Sequence, residues 1–91
     1  MAKVEIYTSP FCPFCHAAKR LLEKKGIAYA EIDVTMVPGA RQEMAKRSGG
    51  AGTVPQIFAG GRHVGDSDFI HALDAEGRLE AALGLAARAR N

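Results

Sequence analysis

The chain's two cysteines stand three residues apart in "TSPFCPFCH", Thr8 to His16, as Cys12 and Cys15. A C-x-x-C-H run suits three chemistries: covalent haem attachment, half of a zinc site, or a dithiol that opens and closes a disulfide. Haem would require export and a second axial ligand besides His16. The opening "MAKVEIYT" lacks the apolar core of a secretory signal, and Pro13 ties both cysteines to a helix start. Zinc needs about four ligands. Beyond the two thiols the nitrogen donors are His16, His63 and His71, with no paired H-x3-5-H spacing and no second C-x-x-C. No metal is therefore expected.

The dithiol reading uses every feature of the run. Residues i and i+3 across the first turn of a helix lie close enough for a disulfide. Pro13 suits the first helical position, which makes Cys12 the N-cap. There its sulfur meets orphan backbone N–H groups and the positive end of the helix dipole, which favours the thiolate. A two-unit drop from a thiol pKa of ~8.5 would turn a few per cent of thiolate at pH 7 into a majority, for about 2.7 kcal/mol of differential stabilisation. Cys15 projects from the edge of an apolar stripe with Ala18 and Leu22 and is expected to be shielded. Cys12 is the expected attacking thiol and Cys15 the resolving one.

The elements around the cysteines follow from periodicity and turn chemistry. "VEIY", Val4 to Tyr7, reads as a buried strand ended by Ser9 and Pro10. Phe14, Ala17, Ala18, Leu21 and Leu22 recur at helical spacing, opposite His16, Lys19, Arg20 and Glu23, and Gly26 supplies the stop. "IAYAEIDV", Ile27 to Val34, reads as a second strand. A weaker helix is expected from Pro38 to Ser48, with Met44 and Ala45 facing inward, broken by the glycines of 49–52. "VPQIFAGGRHVG" reads as a hairpin turning on Gly60-Gly61. "DSDFIHALDAEG" begins a helix on acidic and hydroxyl residues, with Phe69, Ile70 and Leu73 as its buried face. Arg78 to about Ala89 is a final Ala-rich helical stretch. The order is β-α-β-α-β-β-α plus a C-terminal helix: an α/β fold with a small mixed sheet of four strands flanked by helices. The first two strands should be parallel and the hairpin antiparallel. The cysteines fall where the first strand meets the first helix, a frequent place for chemistry in α/β folds.

Length and composition narrow the function classes. Residues 1–91 are enough for one domain with a real core, and 47% hydrophobic with 24% charged residues is ordinary for a globular protein. No apolar run approaches the ~20 residues of a membrane span. The cytoplasm is the expected compartment, and a structural disulfide would not persist there. Net charge is +2 with the basic residues dispersed, so no nucleic-acid-binding stripe is present.

Three motifs in order then resemble the glutaredoxins, small proteins of the thioredoxin fold. "CPFC" is close to their C-P-Y-C, "TVPQIF" (Thr53 to Phe58) to their T-V-P segment, and "HVGDSD" (His63 to Asp68) to their G-G-x-D element. The resemblance covers roughly residues 2 to 84 and is to the dithiol type found in bacteria. It implies a glutathione-dependent thiol–disulfide oxidoreductase that reduces protein disulfides and protein–glutathione mixed disulfides. No tightly bound cofactor is implied, glutathione being a cosubstrate, and the protein is expected to act as a monomer. The proline of T-V-P is cis in the family, which would leave the Val54 backbone free to pair with an extended substrate. The implied glutathione site is Pro13, Phe14, Thr53, Val54, Pro55, Ser67 and Asp68. Ser67 and Asp68, at a helix start, would offer N–H groups to the γ-glutamyl carboxylate, Asp68 would accept from its ammonium, and Ser67 would also act as N-cap. Two alternatives come with the resemblance: a dimer holding a [2Fe–2S] cluster through Cys12 and glutathione, and a thioredoxin-like reductant fed by a reductase.

The departures from the family pattern are specific. The lysine usual three residues before the first cysteine is Ser9, and the arginine common just before T-V-P is replaced by Ala51 and Gly52. Both basic groups are associated with the glycine carboxylate of glutathione, so weaker binding there is expected unless Lys46 or Arg47 substitutes. Asp66 replaces the second glycine of G-G, and Phe14 removes the usual tyrosine hydroxyl.

Overall fold

Strands β1 (Val4–Thr8) and β3 (Gln56–Ala59) form the middle of a four-stranded sheet, in the order β2-β1-β3-β4. The computed structural model describes residues 3–85. The two middle strands are nearly all buried, whereas the edges β2 (Ala30–Asp33) and β4 (Arg62–Gly65) hold no fully buried residue. That difference is the reason the central strands are the most apolar: each must cover helices on both faces. β1 pairs parallel with β2 and antiparallel with β3, and β3 pairs antiparallel with β4.

Alternation along the central strands divides the core in two. Val4, Ile6, Ile57 and Ala59 face α1 (Pro13–Lys24), α3 (Ser67–Ala75) and α4 (Leu79–Ala82), meeting Ala18, Leu21, Leu22, Ile70, Leu79 and Leu83. Tyr7 and Phe58 face the other way and pack with Val34, Ala40 and Met44 of the β2–α2 segment and α2 (Ala40–Arg47). On that second face Arg47 donates to Glu5 and to the Tyr7 hydroxyl, both at 2.8 Å, with its guanidinium 4.3 Å from the Phe58 ring centre.

The architecture is the thioredoxin fold expected from the sequence, with shorter elements at its edges. The second strand begins at Ala30 rather than Ile27, and the second helix at Ala40 rather than Pro38. The expected hairpin turn is present: Gly60 and Gly61 both have positive φ, 58° and 81°, as a two-residue turn with the twist of its strands requires. Two expected core residues are not in the core. Phe14 is 60% exposed and Phe69 49% exposed. The buried stripe of α1 runs through Cys15, Ala18, Leu21 and Leu22, which leaves Phe14 beside it at the helix start. Phe69 lies over Gly65, where an added Cβ would come within 2.6 Å of its ring. The expected final helix from Arg78 to about Ala89 is cut short: it spans only Leu79–Ala82 and ends in a turn at Leu83 and Gly84, where Gly84 has φ 77°, and residues 86–89 of the expected span lie outside the described residues.

Candidate active site

The two thiols sit as the N-terminal chemistry of α1 demands. Cys12 is the N-cap, in extended conformation, with Pro13 at the first helical position. Its Sγ accepts from the Cys15 backbone N–H at 3.2 Å, so a partial positive charge is aimed at the sulfur. Its S–H is 3.6 Å from the Val54 carbonyl, to which it donates. Cys15 is one turn further in, on the apolar stripe, and fully buried. Burial pushes its pKa up to about 12, with the hydrogen bond and charge of Cys12 acting in the same direction. A hydrogen bond from the Ser9 backbone and the charge of Lys19 oppose the rise. Both cysteines are free thiols.

Lys19 is itself held in place. It donates at 3.0 Å to Glu31, which also accepts at 2.7 Å from the buried Thr8 hydroxyl. That bond, first, and then Lys19 hold the Glu31 carboxyl below its usual pKa. The cation that acts on the resolving thiol is thus held by side chains of strands β1 and β2.

A cleft of about 330 Å³ is lined by Phe14, Thr53, Val54, Pro55, Asp66, Ser67 and Asp68. Six of the seven residues expected in a glutathione site meet in it. Pro13 does not line it; it is exposed on the first turn of α1. The Val54–Pro55 bond is cis. Ser67 is only 3% exposed, and both its hydroxyl and its carbonyl lie against His71 Nδ1, at 3.3 and 2.7 Å.

Three features differ from the sequence reading. The N-cap of α3 is Asp66, not Ser67: its Oδ1 accepts from the Phe69 N–H at 2.9 Å. The N–H groups of Ser67 and Asp68 then remain as the orphan donors of that helix start. The charge at Asp66 is therefore used by the helix it begins. Arg47 cannot substitute for the missing basic groups, because Glu5, Tyr7 and Phe58 hold it against the second face of the sheet. A different guanidinium reaches the loop instead: Arg41, at the start of α2, donates to the Gly52 carbonyl at 2.7 Å. Its four-residue offset from the inward Ala45 was visible in the sequence, but nothing there shows that α2 leans toward residue 52.

The profile that defines the glutaredoxins matches residues 4–64. Glutaredoxin 3 of Escherichia coli (strain K12) is 50% identical over 80 residues, which are 88% of this chain and 95% of that protein. The chain belongs to the glutaredoxin family. The solution structure of glutaredoxin from Brucella melitensis is similar, with a TM-score of 0.79 and 48% identity, covering 94% of this chain and 92% of that one. A buckwheat glutaredoxin–glutathione complex shares the fold, with a TM-score of 0.81 at 23% identity, covering 91% and 77% of the two chains. This glutaredoxin is accordingly a thiol–disulfide oxidoreductase, and glutathione dependence is the norm of its family. Among its described residues no helix is long and apolar enough to cross a membrane, and no three His, Cys, Asp or Glu side chains converge as metal ligands.

Proposed function

We propose that Cys12 and Cys15 reduce protein–glutathione mixed disulfides and protein disulfides with electrons from glutathione, and that the adjoining cleft binds the glutathionyl group. The observation that carries this reading is the cleft itself, lined by Thr53, Val54 and Pro55, with the Val54 carbonyl 3.6 Å from the Cys12 sulfur. The Cys12 thiolate attacks the glutathionyl sulfur of a mixed disulfide, and the protein thiolate leaves. A second glutathione thiolate attacks the same sulfur, giving glutathione disulfide and regenerating Cys12. On a protein disulfide, Cys12 attacks one sulfur and the other leaves with the electron pair. Cys15, once deprotonated, then attacks Cys12 Sγ, releasing the second protein thiolate. Two glutathiones reduce the resulting Cys12–Cys15 disulfide.

The order of these steps follows from the site's electrostatics. While Cys12 carries negative charge, that charge and its hydrogen bond add to the burial that keeps Cys15 protonated. Conversion of Cys12 to a mixed disulfide removes both. The Ser9 backbone and Lys19 then act on Cys15 unopposed except by burial. Deprotonation of Cys12 to the attacking thiolate takes the S–H donor away from the Val54 carbonyl, which is then free to accept from an extended substrate chain. At the far end of the cleft, the Ser67 and Asp68 N–H groups suit a carboxylate and the Asp68 side chain an ammonium, the two groups of a γ-glutamyl end. Arg41, beside Gly52, supplies the cation for the glycine carboxylate in place of the residues missing at positions 9 and 52. Together these groups match the charges of a γ-glutamyl tripeptide. Support for the ligand also comes from the buckwheat relative of the same fold, solved as a glutathione complex.

The test is a coupled assay on a glutathionylated peptide, with glutathione and its reductase as one electron source and a thioredoxin-type reductase as the other. Turnover with glutathione, lost in Cys12→Ser, is expected. Turnover with the thioredoxin-type reductase alone would reject glutathione as the donor.

A further inference from the structure

The Thr53–Pro55 segment is an irregular connection, and irregular backbone takes its shape from whatever holds its polar groups. The Thr53 carbonyl accepts from Gln56 Nε2 at 3.1 Å, and Gln56 Oε1 lies 2.6 Å from His63 Nε2. Gln56 is 4% exposed, so neither end of its amide has water to fall back on. His63 is on the edge strand β4, its ring packed on Phe58 at 5.2 Å between centres. Phe58 is in turn fixed by Tyr7 and Arg47. A register shift between Ile57 and Phe58 brings His63 opposite Phe58 and so onto the face that Phe58 shares with Gln56.

The network has one self-consistent arrangement of hydrogens. Thr53 offers only a carbonyl, so the Gln56 NH2 must face it, and Oε1 faces His63. His63 must then carry its proton on Nε2. The opposite tautomer would flip the amide and set two carbonyl oxygens against each other. An imidazole on β4 that donates from Nε2 therefore completes the arrangement in which the buried amide donates to the substrate loop.

We propose that Gln56 and His63 are positioning residues for substrate binding: they hold the Thr53 carbonyl out of the cleft, so that the acceptor presented beside Cys12 is the Val54 carbonyl. The proposal rests on the reading of the cleft as the glutathionyl site. Neither side chain touches the thiols, so their loss should weaken substrate binding without slowing the chemistry of Cys12. Gln56→Glu keeps the shape and removes the donor to Thr53. His63→Leu removes the donor to Gln56, leaving a buried acceptor unpaired. His63→Gln restores it, because a glutamine Nε2 reaches about as far as an imidazole Nε2.

The experiment measures KM and kcat for a glutathionylated peptide, with the alkylation rate of Cys12 as a separate readout. Gln56→Glu and His63→Leu are expected to raise KM about two- to ten-fold, the worth of one hydrogen bond. His63→Gln should stay near wild type, and kcat and Cys12 alkylation should hold in all three. Unchanged KM in Gln56→Glu and His63→Leu would overturn the proposal, as would a His63→Gln variant no better than His63→Leu. A parallel fall of kcat, alkylation rate and melting temperature would also overturn it, marking the network as merely structural. Wild-type protein without glutathione-dependent turnover would instead sink the reading of the cleft and the relay with it.

Discussion

At the scale of single residues, the two sulfurs differ because one caps a helix at the surface and the other is buried one turn inside it. Cys15 is held protonated by burial to about 12 and has no exposed surface, while Cys12 is half-buried. Limited alkylation at pH 7 followed by mass mapping should therefore label Cys12 well before Cys15; equal labelling would contradict the asymmetry. Cys12→Ser should abolish turnover on every substrate. Cys15→Ser should keep deglutathionylation and lose the reduction of protein disulfides. Arg41 is the second residue on which function turns at this scale. An exposed ion pair is worth about 0.2–1 kcal/mol, so Arg41→Gln should raise KM for glutathione up to about five-fold. The difference between the two proteins should shrink at high salt. An Arg41→Gln enzyme with the KM of wild type at low salt would show that the guanidinium serves only the Gly52 carbonyl.

The start of α3 is where an element is built for the site. Gly65 has φ 155°, and a Cβ there would meet the Phe69 ring at 2.6 Å and its Cβ at 2.9 Å. Gly65→Ala must strain the backbone or push Phe69 aside, at about 1–3 kcal/mol. Because Ser67 and Asp68 follow directly, the same substitution should also raise KM. Denaturant unfolding with parallel kinetics checks both, and a stability loss with unaltered KM would separate this turn from the cleft. Asp66 caps the helix, so Asp66→Ala should cost about 1 kcal/mol, whereas Asp66→Gly should cost a few tenths. Asp66→Gly also removes a negative charge that lines the cleft and should strengthen glutathione binding slightly. Calorimetric titration of the reduced protein reads that change directly.

For the whole molecule, the titrating groups set a window of stability. Cys15 is raised by burial and Tyr29 to about 12, by burial and by its hydrogen bond to Glu23. Both are protonated in the folded chain at pH values where they ionise in the unfolded one. Their contribution is complete below about 9 and lost as pH rises toward about 12. Lys25 is raised by its bond to Asp74 and loses its contribution in the same direction. Glu31 and Asp33 are lowered by hydrogen bonds from Thr8 and Thr35, so their contribution is present above the ordinary carboxylate range and lost as pH falls through it. Urea midpoints should be flat near neutrality and fall on both sides. Tyr29→Phe and Cys15→Ala should each flatten the alkaline limb relative to their own neutral value. An alkaline slope unchanged in the double variant would show that other groups govern it.

Much of this was legible in the chain because it depends on neighbours in sequence. Pro13 after Cys12 defines a helix start, and the start defines which sulfur meets the backbone N–H groups; the structure repeats that reading atom for atom. The Gly60-Gly61 turn and the buried stripe of Ala18, Leu21 and Leu22 are local in the same sense. Three motifs in order were enough to collect Phe14, Thr53, Val54, Pro55, Ser67 and Asp68, which the cleft then brings together. Helical spacing alone does not say whether the core receives an apolar ring: Phe14 lines the cleft instead, and Phe69 lies over Gly65. Asp66 both lines the cleft and caps α3, and the second role depends on where the helix starts, which the sequence alone placed one residue later. Arg41, Arg47, and the Gln56–His63 pair lay beyond any reading of neighbours. Arg47 reaches Glu5 across 42 positions and Arg41 reaches Gly52 across 11. The direction of such long side chains is set by the lean of α2 and the shifted register of β4, and those belong to the packed sheet rather than to any stretch of the chain.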